Sequence, residues 1–268
     1  MRIAIFGNLS AQKSSECKSL LTALLQSLGH EIIPQERLSE TDAVITIGGD
    51  GTFLRAAALV GNTGIPMLGI NTGRLGFLAD VNVADMENAI EKLHHGQYKI
   101  QKRHLLELDM KGMPAGHTPY ALNDIAILKH DISSMISIST SVAGQELVTY
   151  QADGLVIATS TGSTAYSLSV GGPIVAPGTN VTVLTPVAPH SLTMRPLVLS
   201  ANETIRLDVA SRSHSFLISI DGNSFSLHEH TPLEIRRAPF TLNIIRLEGS
   251  SFYSTLQQKM LWGSDSRK

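Results

Sequence analysis

Val44-Ile45-Thr46-Ile47-Gly48-Gly49-Asp50-Gly51-Thr52-Phe53-Leu54 runs from β-branched apolar residues into two glycines, an acid, a third glycine and a threonine. Leu54, Ala56, Ala57, Ala58 and Leu59 then favour a helix. The order predicts a strand, a tight loop and a helix start. Glycines let the backbone approach a ligand closely, and the free N–H groups of a helix N-terminus suit phosphate. Asp50 sets a carboxylate inside this anion-friendly loop, where it repels phosphate unless it takes a proton or meets a metal ion. That tension points to phosphoryl chemistry. Standing alone, Gly-Asp-Gly is first a turn, because Asp forms turns well.

Two more glycine-rich stretches change the weighing. They are Asn71-Thr72-Gly73-Arg74-Leu75-Gly76-Phe77-Leu78, and Asp153-Gly154 leading to Thr161-Gly162-Ser163-Thr164-Ala165-Tyr166. With Gly48-Gly49-Asp50-Gly51-Thr52 they resemble the NAD kinase family, which phosphorylates the adenosine 2′-hydroxyl of NAD to make NADP. The resemblance runs from the first strand to about Asn223. Lipid kinases and phosphofructokinases carry versions of the first motif; all three in this order are specific.

Composition sets bounds on the alternatives. The chain has 268 residues, 43% apolar and 16% charged, as expected of a soluble globular protein with one large domain or two modest ones. A formal net charge of −2 without a run of Lys or Arg gives no sign of nucleic-acid or membrane-surface binding. The single cysteine, Cys17, rules out an intrachain disulfide. No apolar run approaches the ~20 residues of a membrane span, and no signal-peptide pattern opens the chain, so a cytoplasmic protein is expected.

Arg2–Gly7 reads as a buried first strand. Cys17, Leu20, Leu21, Leu24, Leu25 and Leu28 follow three-and-four spacing before Gly29, predicting a helix over 14–28 with Cys17 in the core. Strands are expected at 31–33, 43–47 and 67–70, and a helix near 85–93. Strands alternating with helices imply a mostly parallel sheet covered on both sides, with ligands outside the carboxyl ends of its strands. Beyond Tyr98 the rhythm becomes short strands: 105–110, 122–128, 135–142 and 155–159, then alternation at 205–209. Asp221-Gly222 is a hairpin signal. The expected fold is therefore α/β plus all-β: a Rossmann-like N-terminal domain, 1–97, and a β-rich, sandwich-like domain, 98–247. The resemblance implies that a terminal helix within 248–268 packs back on the first domain.

Phosphoryl transfer to a hydroxyl needs positioning, charge stabilisation and an acceptor for the hydroxyl proton. Asp50 fits the acceptor, and the resemblance implies the catalytic aspartate there. Gly49 and Gly51, with Gly48, leave backbone open to phosphates or ribose. Arg55 lies one turn into the helix and reads either as a phosphate contact or as a solvated residue. Phe77 closes the second glycine loop and is a further candidate binding residue. Asn123-Asp124, set in an apolar run, resembles the family pair that holds the dinucleotide; its plain alternative is a strand edge. The stretch 161–169 offers hydroxyls and N–H groups without charge, which suits the edges of adenine or nicotinamide. Thr161 opens it, and Tyr166 either stacks on a base or sits in the core. The resemblance implies that Thr164, Ala165, Tyr166, Ser167, Leu168, Ser169, Asp153, Ala188 and Asn223 line the NAD site. Gln151 stands where several relatives carry a basic residue.

No residue is assigned as a metal ligand; His228-Glu229-His230 reads as surface. There is no G-x-x-x-x-G-K-[ST], which removes a P-loop enzyme, and no G-x-G-x-x-G after the first strand, which takes the main support from a hydride-transferring dehydrogenase. The leading expectation is an ATP-dependent NAD kinase, a homodimer or homotetramer, with NAD and ATP as substrates and a divalent ion, Mg²⁺, bound with ATP. The alternatives are a lipid or sugar kinase sharing the first motif, and a non-catalytic NAD(P)-binding sensor. The first leaves 161–169 unexplained, and the second leaves Asp50 unexplained.

Overall fold

The computed structural model describes residues 1–7, 12–131 and 134–263. They form two compact units, residues 1–102 with 242–268 and residues 103–241. The first unit opens with β1 (Arg2–Gly7), α1 (Gln12–Ser27), β2 (Glu31–Ile33), β3 (Ala43–Ile47), α2 (Asp50–Val60), β4 (Met67–Asn71), β5 (Val81–Asn82) and α3 (Met86–His94). Its strands lie in the order β2-β1-β3-β4, every pairing parallel. All residues of β3 and β4 are buried, as they must be in a sheet covered on both faces. Helix α1 buries Cys17, Leu21 and Leu25, and α3 buries Met86, Ala89, Ile90 and Leu93, against Ile3, Ile45 and Ile70. Cys17 is thus a core residue, its Sγ 3.9 Å from Met86 Sδ. The sequence periodicity and the structure agree closely in this unit.

The second unit is built from the last part of β6 (Tyr98–Asp109), β7 (Tyr120–Ala121), β8 (Asp124–Lys129), β9 (Ile136–Val142), β10 (Gln145–Ala152), β11 (Gly154–Thr159), α4 (Tyr166–Ser169), β12 (Val181–Val187), β13 (Leu197–Ser200), β14 (Ile205–Ser211), β15 (Ser215–Ile220), β16 (Asn223–His228) and the first part of β17 (Leu233–Leu247). One antiparallel sheet runs β13-β12-β11-β8-β15-β16, and another brings β10, β9, β14 and the start of β17 together. Ile125, Ile127, Ile157, Phe216 and Ile218 of the first sheet share one core with Ile138, Val209 and Ile235 of the second. Two antiparallel sheets closing on a common apolar layer make a sandwich.

The last part of β17 returns to the first unit, where Ile244 pairs with Met67 in parallel. Helix α5 (Phe252–Met260) follows, its N-terminus capped by Ser251, whose side chain accepts from Tyr253 N–H. The helix falls within the expected 248–268. Leu256 is buried, whereas Leu261 lies past the helix end and is 70% exposed.

Two expectations need correction. β6 begins at Tyr98, not near Leu105, because exposed Lys99, Ile100 and Lys102 hide its first half from an apolar pattern. β8 begins at Asp124, not at Leu122, so Asn123 precedes the strand. Among the described residues no helix is long and apolar enough to cross a membrane.

Candidate active site

In the first unit the glycine loop after β3 delivers Asp50 as the opening residue of α2. Its carboxylate does not cap its own helix. Oδ1 accepts the N–H groups of Leu78 and Ala79, and Oδ2 accepts that of Phe77, all at 3.0 Å. A carboxylate oxygen has about two lone pairs, so Oδ1 is fully used and Oδ2 has one left beyond Phe77, which only a long contact fills. Lys259 of α5 approaches that oxygen, Nζ to Oδ2 3.5 Å, and lies 4.6 Å from the centre of the Phe77 ring. Asp50 therefore ties the first glycine loop to the second.

Gly76 explains why the second loop is glycine-rich. A Cβ there would stand 2.1 Å from Asp50 Oδ1 and 2.9 Å from Ala79 O. The loop is held from its other side by Arg246, which donates to Phe77 O at 3.0 Å and pairs with Asp80 at 2.5 Å. Burial pushes the Asp80 carboxyl up, opposed by the Arg246 charge.

Gly49 and Gly51 differ from Gly76. A Cβ on either would meet no other atom within 4 Å, and the φ of Gly49 is an ordinary −89°. Nothing in the described fold demands glycine at either; Gly51, inside the first turn of α2, costs about 1 kcal/mol relative to alanine. Arg55 is exposed, donates to Thr52 Oγ1 at 3.2 Å, and lines a cavity of about 480 Å³ with Phe6, Gln35, Thr52 and Leu59.

In the second unit, Leu122-Asn123-Asp124 is pinned through all its backbone groups. The carboxylate of Asp221 accepts the N–H groups of Leu122, Asn123 and Asp124 at 2.7, 2.8 and 3.1 Å. Thr159 Oγ1 donates to Leu122 O at 2.6 Å, Thr159 N to Asn123 O at 2.9 Å, and Asp221 N to Asp124 O at 3.1 Å. Gly162 packs so near that a Cβ on it would stand 2.0 Å from Asn123 O. The Asn123 amide and the Asp124 carboxyl are left as uncommitted polar groups in a rigid segment, without a hydrogen-bond partner among the described residues. Asp124 is only 6% exposed, and burial, then the Asp221 charge, pushes its carboxyl up to about 7.

The hydroxyl-rich stretch divides into committed and available groups. Thr161 accepts from the buried Arg103 guanidinium at 3.2 Å. Ser167 is fully buried and bonded to Thr185 Oγ1 at 2.9 Å, so its hydroxyl serves the core. Thr164 Oγ1 reaches back to Thr161 O. Tyr166 is 36% exposed and Ser169 is exposed, while Ala165 and Leu168 are half-buried. Burial raises the Tyr166 phenol, with smaller contributions from Asp124 and Asp153. Asp153 is paired with Lys129 at 2.7 Å. Ala188 follows β12 with a left-handed φ of 43°, and Asn223 is exposed at the start of β16. His228-Glu229-His230 goes to surface pairs, Glu229 with His214 and His230 with Asp208. Among the described residues no group of three or more His, Cys, Asp or Glu side chains is arranged to hold a metal ion.

These loops match known families over both halves. Residues 7–98 match the ATP-NAD kinase N-terminal domain, and residues 122–247 match the ATP-NAD kinase C-terminal domain. The NAD kinase of Bacteroides fragilis is 50% identical, and that of Flavobacterium psychrophilum 39% identical, each with the whole of both chains aligned. The chain belongs to the ATP-NAD kinase family. Among solved structures it is similar to an NAD kinase from Archaeoglobus fulgidus in complex with ATP, with TM-score 0.82 and 26% identity over 97% of this chain and 99% of that one. The fold is also that of yeast NADH kinase complexed with NADH, with TM-score 0.86 and 23% identity over 99% of this chain and 89% of that one.

Three side chains of this family member escaped the sequence reading. Asp221 was legible only as half of a hairpin turn, and Lys259 only as a charge near a helix end. Arg103 sits inside a strand whose start the apolar pattern does not mark. Each acts through a partner far along the chain, 209 positions away for Lys259, and local patterning carries no such signal.

Proposed function

We propose that this chain phosphorylates NAD to NADP at the expense of ATP, transferring the γ-phosphoryl group to the adenosine 2′-hydroxyl, with Asp50 as the proton acceptor. The observation that carries the reading is the hold on Asp50. Its carboxylate is fixed by the N–H groups of Phe77, Leu78 and Ala79, and only the long 3.5 Å contact from Lys259 takes the second lone pair of Oδ2, so a substrate hydroxyl that displaces the ammonium meets an acceptor for its proton. Gly49 and Gly51 flank it without any packing need for glycine, which is accounted for when a ligand approaches the backbone there. Arg55 then supplies positive charge to the nucleotide phosphates. Mg²⁺ would enter with the ATP substrate, held by its phosphates. Incubation with ATP, Mg²⁺ and NAD should yield NADP and ADP in equal amounts. Absence of NADP at millimolar substrates would overturn the reading.

NAD is held, in this proposal, by Asn123, Asp124, Asp153, Thr161, Thr164, Ala165, Tyr166, Leu168, Ser169, Ala188 and Asn223; Phe77, in the second glycine loop of the first unit, is proposed as a substrate-binding residue beside Asp50. Ser167 belongs to the same stretch, contributing through its backbone since its hydroxyl is bonded to Thr185. Support comes from the free polar groups of Asn123 and Asp124 on a pinned backbone. Asn123→Ala should raise the KM for NAD by the equivalent of about 1–3 kcal/mol while the KM for ATP stays near wild type. Equal losses for both substrates would contradict this placement. The Tyr166 ring is partly open to solvent. Tyr166→Ala should therefore weaken NAD binding with unliganded stability within about 1 kcal/mol of wild type. A loss of ~3–5 kcal/mol in thermal unfolding without ligand would make it a core aromatic instead. Assembly as a homodimer or homotetramer, carried over from the family resemblance, is part of the proposal and is measured by sedimentation.

A further inference from the structure

We infer that Asp221 is a positioning residue for NAD: it sets the Asn123-Asp124 pair through their backbone and, as a like charge beside Asp124, makes the grip on the dinucleotide depend on pH. The inference rests on the assignment of Asn123 and Asp124 to NAD proposed above. Asp221 occupies the tip of the β15–β16 hairpin, where the two-residue Asp-Gly turn gives it the left-handed φ of 48° that such turns use. From there its carboxylate accepts the N–H groups of Leu122, Asn123 and Asp124, and its own N–H donates to Asp124 O. Without that carboxylate, Leu122, Asn123 and Asp124 lose the acceptors for their N–H groups. The side chains of Asn123 and Asp124 would then lose their direction although their own atoms are untouched.

The electrostatic consequence follows from the same geometry. Asp124 is buried, and the charged or titratable groups facing it are Asp221 from the hairpin and the Tyr166 phenol from α4. Burial and the Asp221 charge both disfavour the Asp124 anion, which brings its titration to about 7. Above that pH the carboxylate accepts hydrogen bonds from ribose hydroxyls at full strength; below it, the protonated acid accepts them poorly. The KM for NAD of the wild-type enzyme should thus rise as pH falls through the region of 7. The KM for ATP should not follow it.

The test is Asp221→Asn, with KM for NAD and for ATP measured from pH 5.5 to about 8.5. Two effects of opposite kind are expected. At high pH the KM for NAD rises about tenfold with the KM for ATP within about twofold, as the pinned segment loosens. The acid limb of the NAD profile also moves to lower pH, because the like charge beside Asp124 is gone. A hairpin residue of purely structural importance would lower the unfolding temperature without moving that limb. An unmoved limb with an unchanged KM for NAD overturns the inference. Asn123→Ala is run beside it: an unchanged KM for NAD in that variant defeats the NAD placement itself, whereas a raised KM there beside a silent Asp221→Asn defeats only the role of Asp221. Should Asp221→Asn not fold, Asp124→Asn in the otherwise wild-type enzyme decides the electrostatic half. Loss of the acid limb supports the inference, and persistence of the limb overturns it.

Discussion

Asp50→Asn should lower turnover by a factor of ~10²–10⁴, the usual cost of removing a general base, while NAD and ATP still bind. The structure adds a second expectation that loop chemistry alone would miss. An amide in this place keeps one oxygen for the N–H groups of Leu78 and Ala79, but turns its NH₂ toward the Phe77 N–H, leaving two donors face to face. It also puts that NH₂ beside the Lys259 ammonium. An unsatisfied donor in a partly buried site costs about 1–3 kcal/mol, so thermal unfolding should fall modestly and together with turnover. The two roles of Asp50 separate by calorimetry on the same preparation. With the proposed chemistry, turnover collapses and binding of both substrates survives. If Asp50 were only the clasp between its two loops, binding and turnover would fall together. Turnover within a fewfold of wild type would remove it from the mechanism altogether.

The first unit was readable in the sequence because its elements are decided locally. The three-and-four spacing of Cys17, Leu21 and Leu25 and the unbroken burial of Ala43–Ile47 each report one face of one element. The sandwich was readable as a class, less so strand by strand. Gln145–Ala152 is mostly exposed at the edge of its sheet, and Tyr98–Asp109 opens with exposed residues, so neither prints a clean apolar pattern. Resemblance supplied the residues of the candidate site; the sequence alone could not supply their supports. The hold of Asp221 on 122–124 and of Asp50 on 77–79 are side-chain-to-backbone bonds across long separations. In these bonds the accepting carboxylate is a visible residue type, but its donors are backbone groups that every residue except proline carries. Nothing in the letters at 77–79 marks those N–H groups as taken. Gly76 and Gly162 do leave a trace. Each is a glycine because another part of the chain fills the space of its Cβ, and a sequence reader sees only another turn residue.

Gly76→Ala should reproduce much of the Asp50→Asn defect without touching a reacting group. The new methyl would fall 2.1 Å from Asp50 Oδ1 and 2.9 Å from Ala79 O. The carboxylate is the easier of the two to displace, yet moving it breaks the bonds to Phe77, Leu78 and Ala79 that fix it. Overpacking of this kind costs typically 1–3 kcal/mol, so the protein should fold with reduced stability. A base displaced by about 1 Å loses on the order of 10² in rate, because proton transfer demands hydrogen-bond reach of the hydroxyl. Smaller effects on the KM values are expected, since the binding residues proposed in the second unit are not involved. Coupling is the sharper measurement. If Gly76 acts through Asp50, the double variant Gly76→Ala, Asp50→Asn should turn over about as slowly as Asp50→Asn alone, because the group being misplaced is already disabled. Turnover falling by the product of the two single factors would mean that Gly76 serves another purpose, and that the clasp between the glycine loops is not what aims the carboxylate.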